Sequence, residues 1–581
     1  MKLYDGVSKR STIVVIAIVM VVIAGLIGFI LIREGGEFQQ STTSPFPSPT
    51  TSITTSPKPT KLSLRIAQPT KTAVELPVEY LPKLYSWTLW RGGANSDRMY
   101  PASLPRSLKV IYRVNVSANI HGVLAEPLIE DNFIYLADDS GIYALNRSSG
   151  ELVWGVEIYD ESTSGRSTKY PQPVWKWRAL GLYRFTVAYG LGEYVYVATT
   201  SYLDVDNAYI LALDKKSGDV IWRVELEPEH VLSSIIDISS NLIVADGKVF
   251  VGSVGDGYVF CVSEDGKLVW RTRLGSTIEG IAYGDGILYA MASKLYAVDV
   301  EDGKILWYWD YGSWPISKNG KVILEHYGRV AVLSTEGELL WMKEYGAGSN
   351  VEGYPYMAVG SQAIYVTREL GERPRDLYIV DMNGSILGKY QILYDEDNVA
   401  PIASNDVIVL PVKSEEGNGY CKLYILWSRG EKLSEIVLDV RDKIWYPIAV
   451  AAYGEVYVVT DPYTLYRLGD NESPRINNVS VKLSEDYSKL IIYTEAYDNE
   501  SALYRVTLVY SVNGSEWMYK DMDISRTYVT EPIGGYGYRE ELYEIALDVA
   551  PDTSIEFYIV AVDNVGNYVL SNVYAYEVVE E

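Results

Sequence analysis

The chain has 581 residues and a formal net charge of −25 at pH 7. This acidic excess argues against nucleic acid and against anionic lipid surfaces as partners, because both would repel it. Two cysteines and three histidines are too few for the usual Cys- and His-based metal sites. We therefore predict no nucleic-acid partner and assign no metal ligands.

The first predicted element is a membrane-spanning helix. Residues 12–32 form an uninterrupted apolar run that is long enough to cross a bilayer. Lys2, Lys9 and Arg10 precede it, and this basic excess predicts a cytoplasmic N-terminus. We predict a cytoplasmic tail over 1–11 and a transmembrane signal anchor over 12–33, which makes the protein a single-pass protein of the cell membrane with its C-terminal ectodomain outside. A cleaved secretory signal is the alternative.

Residues 34–62 are predicted to form a stalk, because the chain between Ser41 and Thr60 is almost entirely Ser, Thr and Pro. Such a segment cannot bury enough apolar surface to fold, and it has the composition of O-glycosylated stalks. Asn-x-Ser sequons further along the chain agree with an extracellular glycoprotein. They begin at Asn115, Asn146, Asn383, Asn471, Asn478, Asn499 and Asn513.

The central part of the chain repeats one small unit eight times between Tyr143 and Leu468. In each clear copy an apolar strand ends at Asp or Asn, a Gly closes a tight turn, and Trp follows four residues later. An earlier strand pair is joined by a polar turn such as Asp246-Gly247, which is a strong hairpin signal. Four strands per repeat predict a propeller blade, and the absence of a 3.6-residue apolar period excludes a helical solenoid. The clearest copies are Ala144–Trp154, Ala212–Trp222 and Ala297–Trp307.

The later copies are incomplete in a way that predicts how the ring closes. Gly388 and Leu433 stand where two of them would carry Trp, and the eighth copy lacks its outer strand. A spare strand precedes the first copy, and full closure removes exposed sheet edges. We therefore predict an eight-bladed propeller over 85–470. The segment from Val110 to Val114 should pair with the blade that contains Tyr457 and Tyr466.

The Ala-x-Asp-x-x-x-Gly-x-x-x-Trp pattern resembles the repeat of the pyrroloquinoline-quinone (PQQ)-like β-propeller family. The segment from Trp87 to Arg98 also resembles the usual lead-in of that family. The family includes quinoprotein dehydrogenases, the propeller lipoprotein of bacterial outer-membrane assembly, and binding proteins without catalysis. The resemblance implies a fold but leaves the function open. We interpret each repeated Trp as a ring that packs between neighbouring blades.

The last part of the chain, 473–581, is predicted to be a β-sandwich, since about seven strands of alternating pattern fit into it. Its turns at 510–517 and 561–567 resemble those of immunoglobulin-like and fibronectin-like modules. Asp563, Asn564 and Asn567 could bind Ca²⁺, but an Asx-rich turn is the interpretation we prefer. The predicted fold class is thus all-β: a propeller followed by a β-sandwich, with an N-terminal transmembrane helix.

The propeller is predicted to bind its partner on one face. The turns between the first and second strands, and between the third and fourth, lie on one face and are short; we name it the short-turn face. All long insertions open on the opposite, long-loop face, and loops on a rigid scaffold commonly carry binding. Alternatively, Trp175 and Trp177 begin an inner strand and pack, and the arginines form solvated ion pairs. The predicted binding residues are Trp175, Trp177, Arg178, His230, Arg373 and Arg375.

Two classes of function remain open. The first is a binding or scaffolding protein that contacts a cell-surface protein or glycan. The second is an extracytoplasmic PQQ-dependent dehydrogenase of alcohols or sugars, for which PQQ and Ca²⁺ would be the cofactors. The chain has neither the adjacent Cys pair that many such enzymes carry nor a Cys-x-x-Cys-His haem motif. We therefore favour the first class and predict no catalytic residue and no cofactor.

The two cysteines are predicted to be buried free thiols. Cys261 lies in the third repeat and Cys421 in the seventh, four blades apart in a ring of eight. Cysteines on opposite blades cannot bring their Cα atoms within the roughly 7 Å that a disulfide requires.

Overall fold

A computed structural model describes the C-terminal nine tenths of the chain, with gaps. Among the described residues no helix is long and apolar enough to cross a membrane. The predicted anchor at 12–33 lies outside these residues, as does the stalk up to Thr60. The described ranges are 61–89, 91–116, 126–137, 141–157, 188–200, 208–226, 242–253, 257–311, 314–326, 329–345, 357–368, 376–392, 396–398, 400–414, 420–439, 447–461, 464–529 and 539–581.

The chain enters the described region through β1 (Leu62–Ile66), a single-turn 3-10 helix (Val78–Tyr80) and β2 (Lys109–Asn115). Four antiparallel four-stranded sheets then follow in chain order, and we name them blades 1 to 4. Their strands are β3 (Leu128–Glu130), β4 (Phe133–Ala137), β5 (Gly141–Asn146) and β6 (Leu152–Glu157); β7 (Ala188–Leu191), β8 (Val195–Thr200), β9 (Ala208–Leu213) and β10 (Val220–Leu226); β11 (Leu242–Ala245), β12 (Lys248–Gly252), β13 (Tyr258–Ser263) and β14 (Leu268–Arg273); β15 (Gly280–Gly284), β16 (Ile287–Met291), β17 (Leu295–Asp299) and β18 (Ile305–Trp309).

Four more sheets, blades 5 to 8, continue the pattern. Blade 7 has a fifth short strand, and blade 8 takes its outer strand from β2. Their other strands are β19 (Pro315–Lys318), β20 (Lys321–His326), β21 (Arg329–Ser334) and β22 (Leu339–Glu344); β23 (Met357–Val359), β24 (Ala363–Arg368), β25 (Asp376–Asp381) and β26 (Ile386–Gln391); β27 (Glu396–Asn398), β28 (Ile402–Ala403), β29 (Val407–Ser414), β30 (Tyr420–Trp427) and β31 (Lys432–Asp439); β32 (Ile448–Ala452), β33 (Glu455–Asp461) and β34 (Thr464–Gly469).

The predicted closure is confirmed, because β2 pairs antiparallel with β34. Val110 lies opposite Leu468 and Val114 opposite Leu465, with a register shift between Val110 and Tyr112. Tyr112 then takes the place that Trp holds in other blades. Its hydroxyl donates a hydrogen bond of 3.0 Å to the Arg147 carbonyl in blade 1. One aromatic residue therefore joins the last blade to the first.

The hairpin turns form as predicted. Asp246 and Asp285 have φ of 49° and 54°, and the glycines that follow them have φ of 68° and 75°. This pair of left-handed conformations is that of the two-residue turn with the right twist for a β-hairpin, and Gly adopts it without steric cost.

The repeated Trp residues pack between blades, as predicted. The indole N–H of Trp222 donates to the Glu264 carbonyl of the next blade at 2.8 Å, and a Cβ placed on Gly266 there would lie 2.8 Å from the Trp222 ring. Only Gly leaves room for the ring. The same bond to the next blade is made by Trp154, Trp270, Trp307 and Trp341, over 2.7 to 3.0 Å.

The two later copies without Trp differ from each other. Gly388 lies opposite Ile379 at the Trp position of blade 6, as predicted, and the Arg429 carbonyl of blade 7 lies where a Cβ of Gly388 would be. In blade 7 the prediction of Leu433 was wrong. The register shift between Ile425 and Leu426 leaves Leu433 unpaired, and Ser434 takes the position opposite Ile425.

Two further sheets share one core after the eighth blade, and we name this part the two-sheet domain. Leu490 and Ile545 from one sheet pack with Leu508 and Phe557 from the other. The sheets have the strand orders β35-β36-β40-β39 and β1-β43-β41-β37-β38, with β42 beside β41. The strands are β35 (Arg475–Leu483), β36 (Lys489–Tyr497), β37 (Leu503–Val512), β38 (Met518–Asp521), β39 (Asp523–Val529), β40 (Arg539–Asp548), β41 (Thr553–Asp563), β42 (Tyr568–Leu570) and β43 (Tyr574–Glu580).

The two-sheet domain is completed by a strand from before the propeller. In β1, Leu62 lies opposite Glu580 and Ile66 opposite Tyr576 of β43. Thr70 donates both its backbone N–H and its hydroxyl to the Glu556 carboxylate. The segment that begins at residue 61 therefore belongs with the C-terminal domain, and the propeller is inserted within it. The predicted boundaries, 34–62 and 473–581, had kept these two segments apart.

Candidate functional site

A single segment of the chain lines the centre of the blades. We name residues 85–102 the belt; Trp90 within it is outside the described residues. Its backbone contacts the inner strands of the blades in order, from blade 8 through blades 1 to 7. The contacts are Tyr85 with Tyr453, Trp87 with Ile129, Thr88 with Leu191, Ala94 with Tyr283, Asn95 with Ser317, Asp97 with Val359, and Tyr100 with Ala403, over 2.7 to 3.1 Å. In blade 3, Leu89 packs in one core with Ile243.

This order shows that the sheets surround a common axis, as in a β-propeller. The belt bonds lie near the C-terminal ends of the inner strands, as at Leu191 in β7 and Val359 in β23. Those ends lead into the turns between first and second strands. The belt therefore lies across the axis at the short-turn face.

Two buried arginines extend from the belt along the axis. Arg98 donates from Nε to the Pro401 carbonyl and from Nη2 to the Ala449 carbonyl, both at 3.0 Å. Arg91 donates from Nη2 to the Met357 carbonyl at 2.8 Å. These carbonyls lie at the N-terminal ends of inner strands. The guanidinium groups therefore reach from the short-turn face toward the long-loop face.

Glu126 joins the two arginines. One carboxylate oxygen pairs with Arg98 Nη1, and the other accepts the Arg91 backbone N–H at 2.7 Å. The side chains of Arg98 and Glu126 are 5% and 7% exposed, so this is a buried ion pair. The backbone carbonyl of Glu126 also accepts a hydrogen bond from the Tyr189 hydroxyl at 2.5 Å. A buried pair is stable only when hydrogen bonds satisfy its remaining polar atoms, which these contacts do.

A second ion pair secures the belt at blade 5. Lys318 Nζ lies 2.5 Å from Asp97 Oδ2, and Asn95 donates to the same oxygen at 2.9 Å. The other Asp97 oxygen accepts the Met99 backbone N–H at 3.1 Å. Asp97 therefore joins two parts of the belt to each other and ties the belt to blade 5.

The belt backbone is strained beside these charges. Arg91, Ser96 and Arg98 have φ of 61°, 57° and 51°, a conformation that residues other than Gly rarely adopt. Left-handed residues of this kind cost about 1–3 kcal/mol each and persist where the surroundings hold them. Here the Arg98 N–H donates to the Arg91 carbonyl at 2.8 Å, and the bonds to Glu126 hold both residues.

The two-sheet domain docks on the same face of the propeller. A Cβ placed on Gly454, in the first turn of blade 8, would lie 2.8 Å from Cβ of Val565. The backbone N–H groups of Arg106 and Ser107 donate to the Glu500 carbonyl at 2.7 and 3.2 Å. The short-turn face thus carries the belt at its centre and the two-sheet domain beside blade 8.

The predicted binding residues lie outside the described part of the chain. This holds for Trp175, Trp177, Arg178, His230, Arg373 and Arg375, and the structure neither brings them together nor separates them. The described strands on either side of these positions end at the edge opposite the belt, because the gaps join fourth to first strands or second to third strands.

Both cysteines are free and buried, as predicted. They belong to different core clusters, Cys421 with blades 7, 8, 1 and 2 and Cys261 with blades 3 and 4. Burial raises the pKa of Cys261 to about 12 and raises the pKa of Cys421 as well. Neither thiol forms the reactive thiolate at neutral pH.

One group of carboxylates could hold a cation. Oxygens of Asp470, Asp498 and Asp563 lie within 4.8 Å of one another, and this is the only such group of three acidic or metal-binding side chains in the described ranges. Asp563 Oδ1 accepts the backbone N–H groups of Val565 and Asn567, both at 2.9 Å. The preferred interpretation of this segment as an Asx turn is therefore confirmed.

Two of the described axial residues, Glu126 and Arg98, offer no unengaged group to a quinone cofactor at the closed end. Both oxygens of Glu126 already accept hydrogen bonds from the belt, and the Arg98 guanidinium donates to Glu126 and two carbonyls. The side chains of Glu126 and Arg98 are therefore engaged in bonds within the protein.

The sequence reasoning did not identify Arg91, Arg98 and Glu126 as a buried group. The two arginines fall in the lead-in that was used only as a family resemblance. Their partners are up to 351 residues away along the chain, which no local pattern reveals. The available signal was the presence of Arg91 and Arg98 close to Gly92-Gly93, in a segment without a strand pattern.

Comparisons with known proteins support the propeller fold but do not identify an activity. A family model described as "Outer membrane protein assembly factor BamB" matches residues 206–369. Tetrathionate hydrolase of Acidithiobacillus ferrooxidans is 25% identical over 268 residues, 40% of this chain and 51% of the relative. BamB of Escherichia coli is 25% identical over 283 residues, 39% of this chain and 66% of the relative. The chain thus spans only about half to two thirds of these relatives.

Solved structures show the same similarity at lower identity. BamB of Moraxella catarrhalis has 14% identity and a TM-score of 0.44, over 63% of this chain and all of that one. A quinohemoprotein alcohol dehydrogenase of Pseudomonas putida has 15% identity and a TM-score of 0.46, over 69% and 84% of the two chains. The radial order of its sheets shows that this part of the chain is a β-propeller, and its repeats are similar to those of the PQQ-like family.

Proposed function

We propose that the protein is a membrane-anchored binding or scaffolding protein of the cell surface. It contacts a cell-surface protein or glycan through the long-loop face of its propeller. The observation that carries this proposal is the closure of the other face. The belt contacts blade after blade at the short-turn face, and the two-sheet domain docks beside blade 8.

The Asp side chains in the turns of the short-turn face bond to their own backbone N–H groups, which leaves those donors unavailable to a partner. The Asp214 carboxylate, for example, accepts the backbone N–H groups of Lys216 and Ser217 at 2.9 and 2.8 Å. Asp299 and Asp381 make equivalent bonds in their own turns. A partner would have to break them. The long-loop face is the remaining end of a rigid, loop-bearing scaffold.

One of the relatives has a name that agrees with a protein partner, whereas others are named as enzymes. BamB is named an assembly factor, which is a role among other proteins. The tetrathionate hydrolase and the alcohol dehydrogenase are named for reactions. The engagement of Glu126 and Arg98 within the protein, together with the lack of an adjacent Cys pair in the sequence, supports binding over quinone-dependent oxidation. Stoichiometric PQQ in the purified protein, with dye-linked oxidation of an alcohol or sugar, would replace this proposal.

The proposed architecture is an eight-bladed propeller inserted in an immunoglobulin-like or fibronectin-like module, which follows an anchor at 12–33 and a glycosylated stalk. Since residue 61 leads directly into β1, the stalk would join the two-sheet domain and not the propeller.

We expect protease added to intact cells to digest the region after residue 33 and to leave the cytoplasmic tail of about ten residues intact, because the anchor would place everything after it outside. Immunoblotting with tags at the two termini measures this. A protected C-terminal tag on cells with an accessible N-terminal tag would show the reverse orientation.

The binding face is tested by the double change Trp175→Ala and Arg178→Ala. Aromatic and Arg residues at the centre of an interface often cost more than about 2 kcal/mol when truncated, which is roughly a thirty-fold loss of affinity. We expect cross-linking on intact cells, followed by mass spectrometry, to lose the partner that the wild-type protein captures. The melting temperature should stay within about 2 °C.

The matched control is Lys304→Ala on the short-turn face, where the Lys304 side chain is 79% exposed. This variant should keep the partner in full. A Trp175 and Arg178 variant that binds normally but melts early would show that these residues are core. In that case the hot spot is not at these residues.

A further inference from the structure

The outer strand of blade 4 is an exposed and apolar sheet edge. In the described part of the chain β18 has β17 as its only neighbouring strand, so the backbone groups on its outer side face no other strand. Ile305, Leu306 and Tyr308 of β18 are 43%, 49% and 57% exposed. An apolar edge of this kind is a template for another strand, and proteins usually protect such an edge with charged residues.

The other blades have this protection. The residue after the repeated Trp is Arg223 in blade 2 and Arg271 in blade 3, whereas blade 4 has Tyr308 at this position. Among the eight outer strands that the structure describes, β18 alone contains no Asp, Glu, Lys or Arg. A register shift near the Trp position is common to all eight, so it does not distinguish blade 4.

The two ends of this edge carry opposite charges. Lys304 precedes β18 and Asp310 follows it, and their side chains are 79% and 73% exposed. Lys304 pairs with Asp302, and Asp310 pairs with Lys294 at 2.6 Å. Exposed ion pairs of this kind contribute little to stability, so both residues are able to exchange partners.

The edge is complementary to itself. In an antiparallel pairing of two β18 strands about a twofold axis at Trp307, residues equally far before and after Trp307 lie opposite each other. Lys304 of each copy then faces Asp310 of the other, as a self-complementary twofold interface requires. The apolar residues form cross-strand pairs of one aliphatic and one aromatic side chain, Leu306 with Tyr308 and Ile305 with Trp309.

We propose that two copies of this protein associate through β18, which joins the two four-stranded sheets of blade 4 into one. The two-sheet domain docks beside blade 8, half a ring away from this edge. The association goes beyond the proposed function, because it uses neither the long-loop face nor its ligand. A change at the edge, such as Lys304→Ala, therefore weakens the dimer and leaves ligand capture intact.

Sedimentation of the full-length protein in detergent tests the association. One strand pair of five residues is smaller than the roughly 1,200 Å² at which stable interfaces begin, so we expect a weak dimer with a dissociation constant of about 10–100 μM. The fraction of dimer should rise steeply as the protein is concentrated from about 1 to about 200 μM. A protein that remains monomeric at the highest concentration would overturn the proposal.

Tyr308→Arg gives blade 4 the residue that blades 2 and 3 have at this position. We expect at least about ten-fold weaker association, because the added charge would have to lose water against the second copy. The matched control is Leu387→Arg, on an outer strand that already carries Lys389; Leu387 is 53% exposed. This control should associate like the wild type, and both variants should melt within about 2 °C of it. Equal association of the two variants would show that β18 is not the interface.

The register is tested by mixing two single variants, Lys304→Cys and Asp310→Cys. Opposite residues of an antiparallel pair have Cα atoms about 4.5–5.5 Å apart, which a disulfide can span. The two copies of one variant place their new thiols about 20 Å apart, so neither variant should cross-link alone. The native Cys261 and Cys421 are buried and do not interfere.

We expect a disulfide-linked dimer on non-reducing gels only from the mixture, and we expect Tyr308→Arg in both chains to abolish it. A dimer from one variant alone would show a different pairing and would overturn the proposed register. If the mixture forms no dimer, β18 does not pair with a second copy, and a strand from another protein becomes the alternative occupant of this edge.

Discussion

Replacing Arg98 with Ala should destabilise the propeller by about 3–5 kcal/mol, the range for breaking one side of a buried ion pair. The Glu126 carboxylate would lose the guanidinium with which it pairs, and it is only 7% exposed. The carbonyls of Pro401 and Ala449 would lose their donors in the same change. Chemical denaturation followed by tryptophan fluorescence measures the loss.

The control for this prediction is Arg65→Ala. Arg65 lies 3.7 Å from Glu577, and both side chains are well exposed, at 68% and 45%. An exposed pair of this kind contributes about 0–1 kcal/mol. A double change of Arg98→Met with Glu126→Leu should recover part of the stability, because it leaves no unpaired buried charge. Equal losses for Arg98→Ala and Arg65→Ala would show that the axial pair does not hold the belt.

The repeats made the blades predictable because their information is local. A turn with positive φ, a Gly beside a ring and a Trp four residues on all lie within one hairpin or in adjacent blades. The closure through Val110 and Val114 also followed, since a missing strand in one place required a spare strand in another. The register of blade 7 did not, because a bulge moves Ser434 to the position where counting places Leu433.

The long-range features of the molecule had no signal in the sequence. Leu62 pairs with Glu580 at the far end of the chain, and nothing in a five-residue strand specifies its partner. The axial arginines bond to backbone carbonyls, which every residue possesses. The amino-acid sequence therefore does not indicate which residues are their partners. For the binding face, composition and loop length indicated an edge of the propeller. They could not show which side chains converge there.

Changing Trp270 to Ala should cost about 3–5 kcal/mol, as for other large rings removed from a core. The ring is 8% exposed, lies 6.0 Å from the Phe250 ring, and donates its N–H to the Val300 carbonyl at 2.9 Å. Its far side covers Gly303 of blade 4, where a Cβ would lie 2.7 Å from the ring. The cavity would therefore open between two blades and weaken both. Far-UV circular dichroism during chemical denaturation is the measurement, since fluorescence changes with the Trp itself.

Two further variants separate the packing of Trp270 from its hydrogen bond. Trp270→Phe retains most of the buried ring and should lose about 1–2 kcal/mol, from the missing bond and a smaller ring. Tyr308→Ala removes an aromatic ring that is 57% exposed on the outer strand of blade 4, beside Tyr296 of the same blade, and should cost no more than about 1 kcal/mol. If Tyr308→Ala were as damaging as Trp270→Ala, contact with the next blade would not be what gives the repeated Trp its importance. The order Trp270→Ala, Trp270→Phe, Tyr308→Ala, from largest to smallest loss, is what inter-blade packing requires.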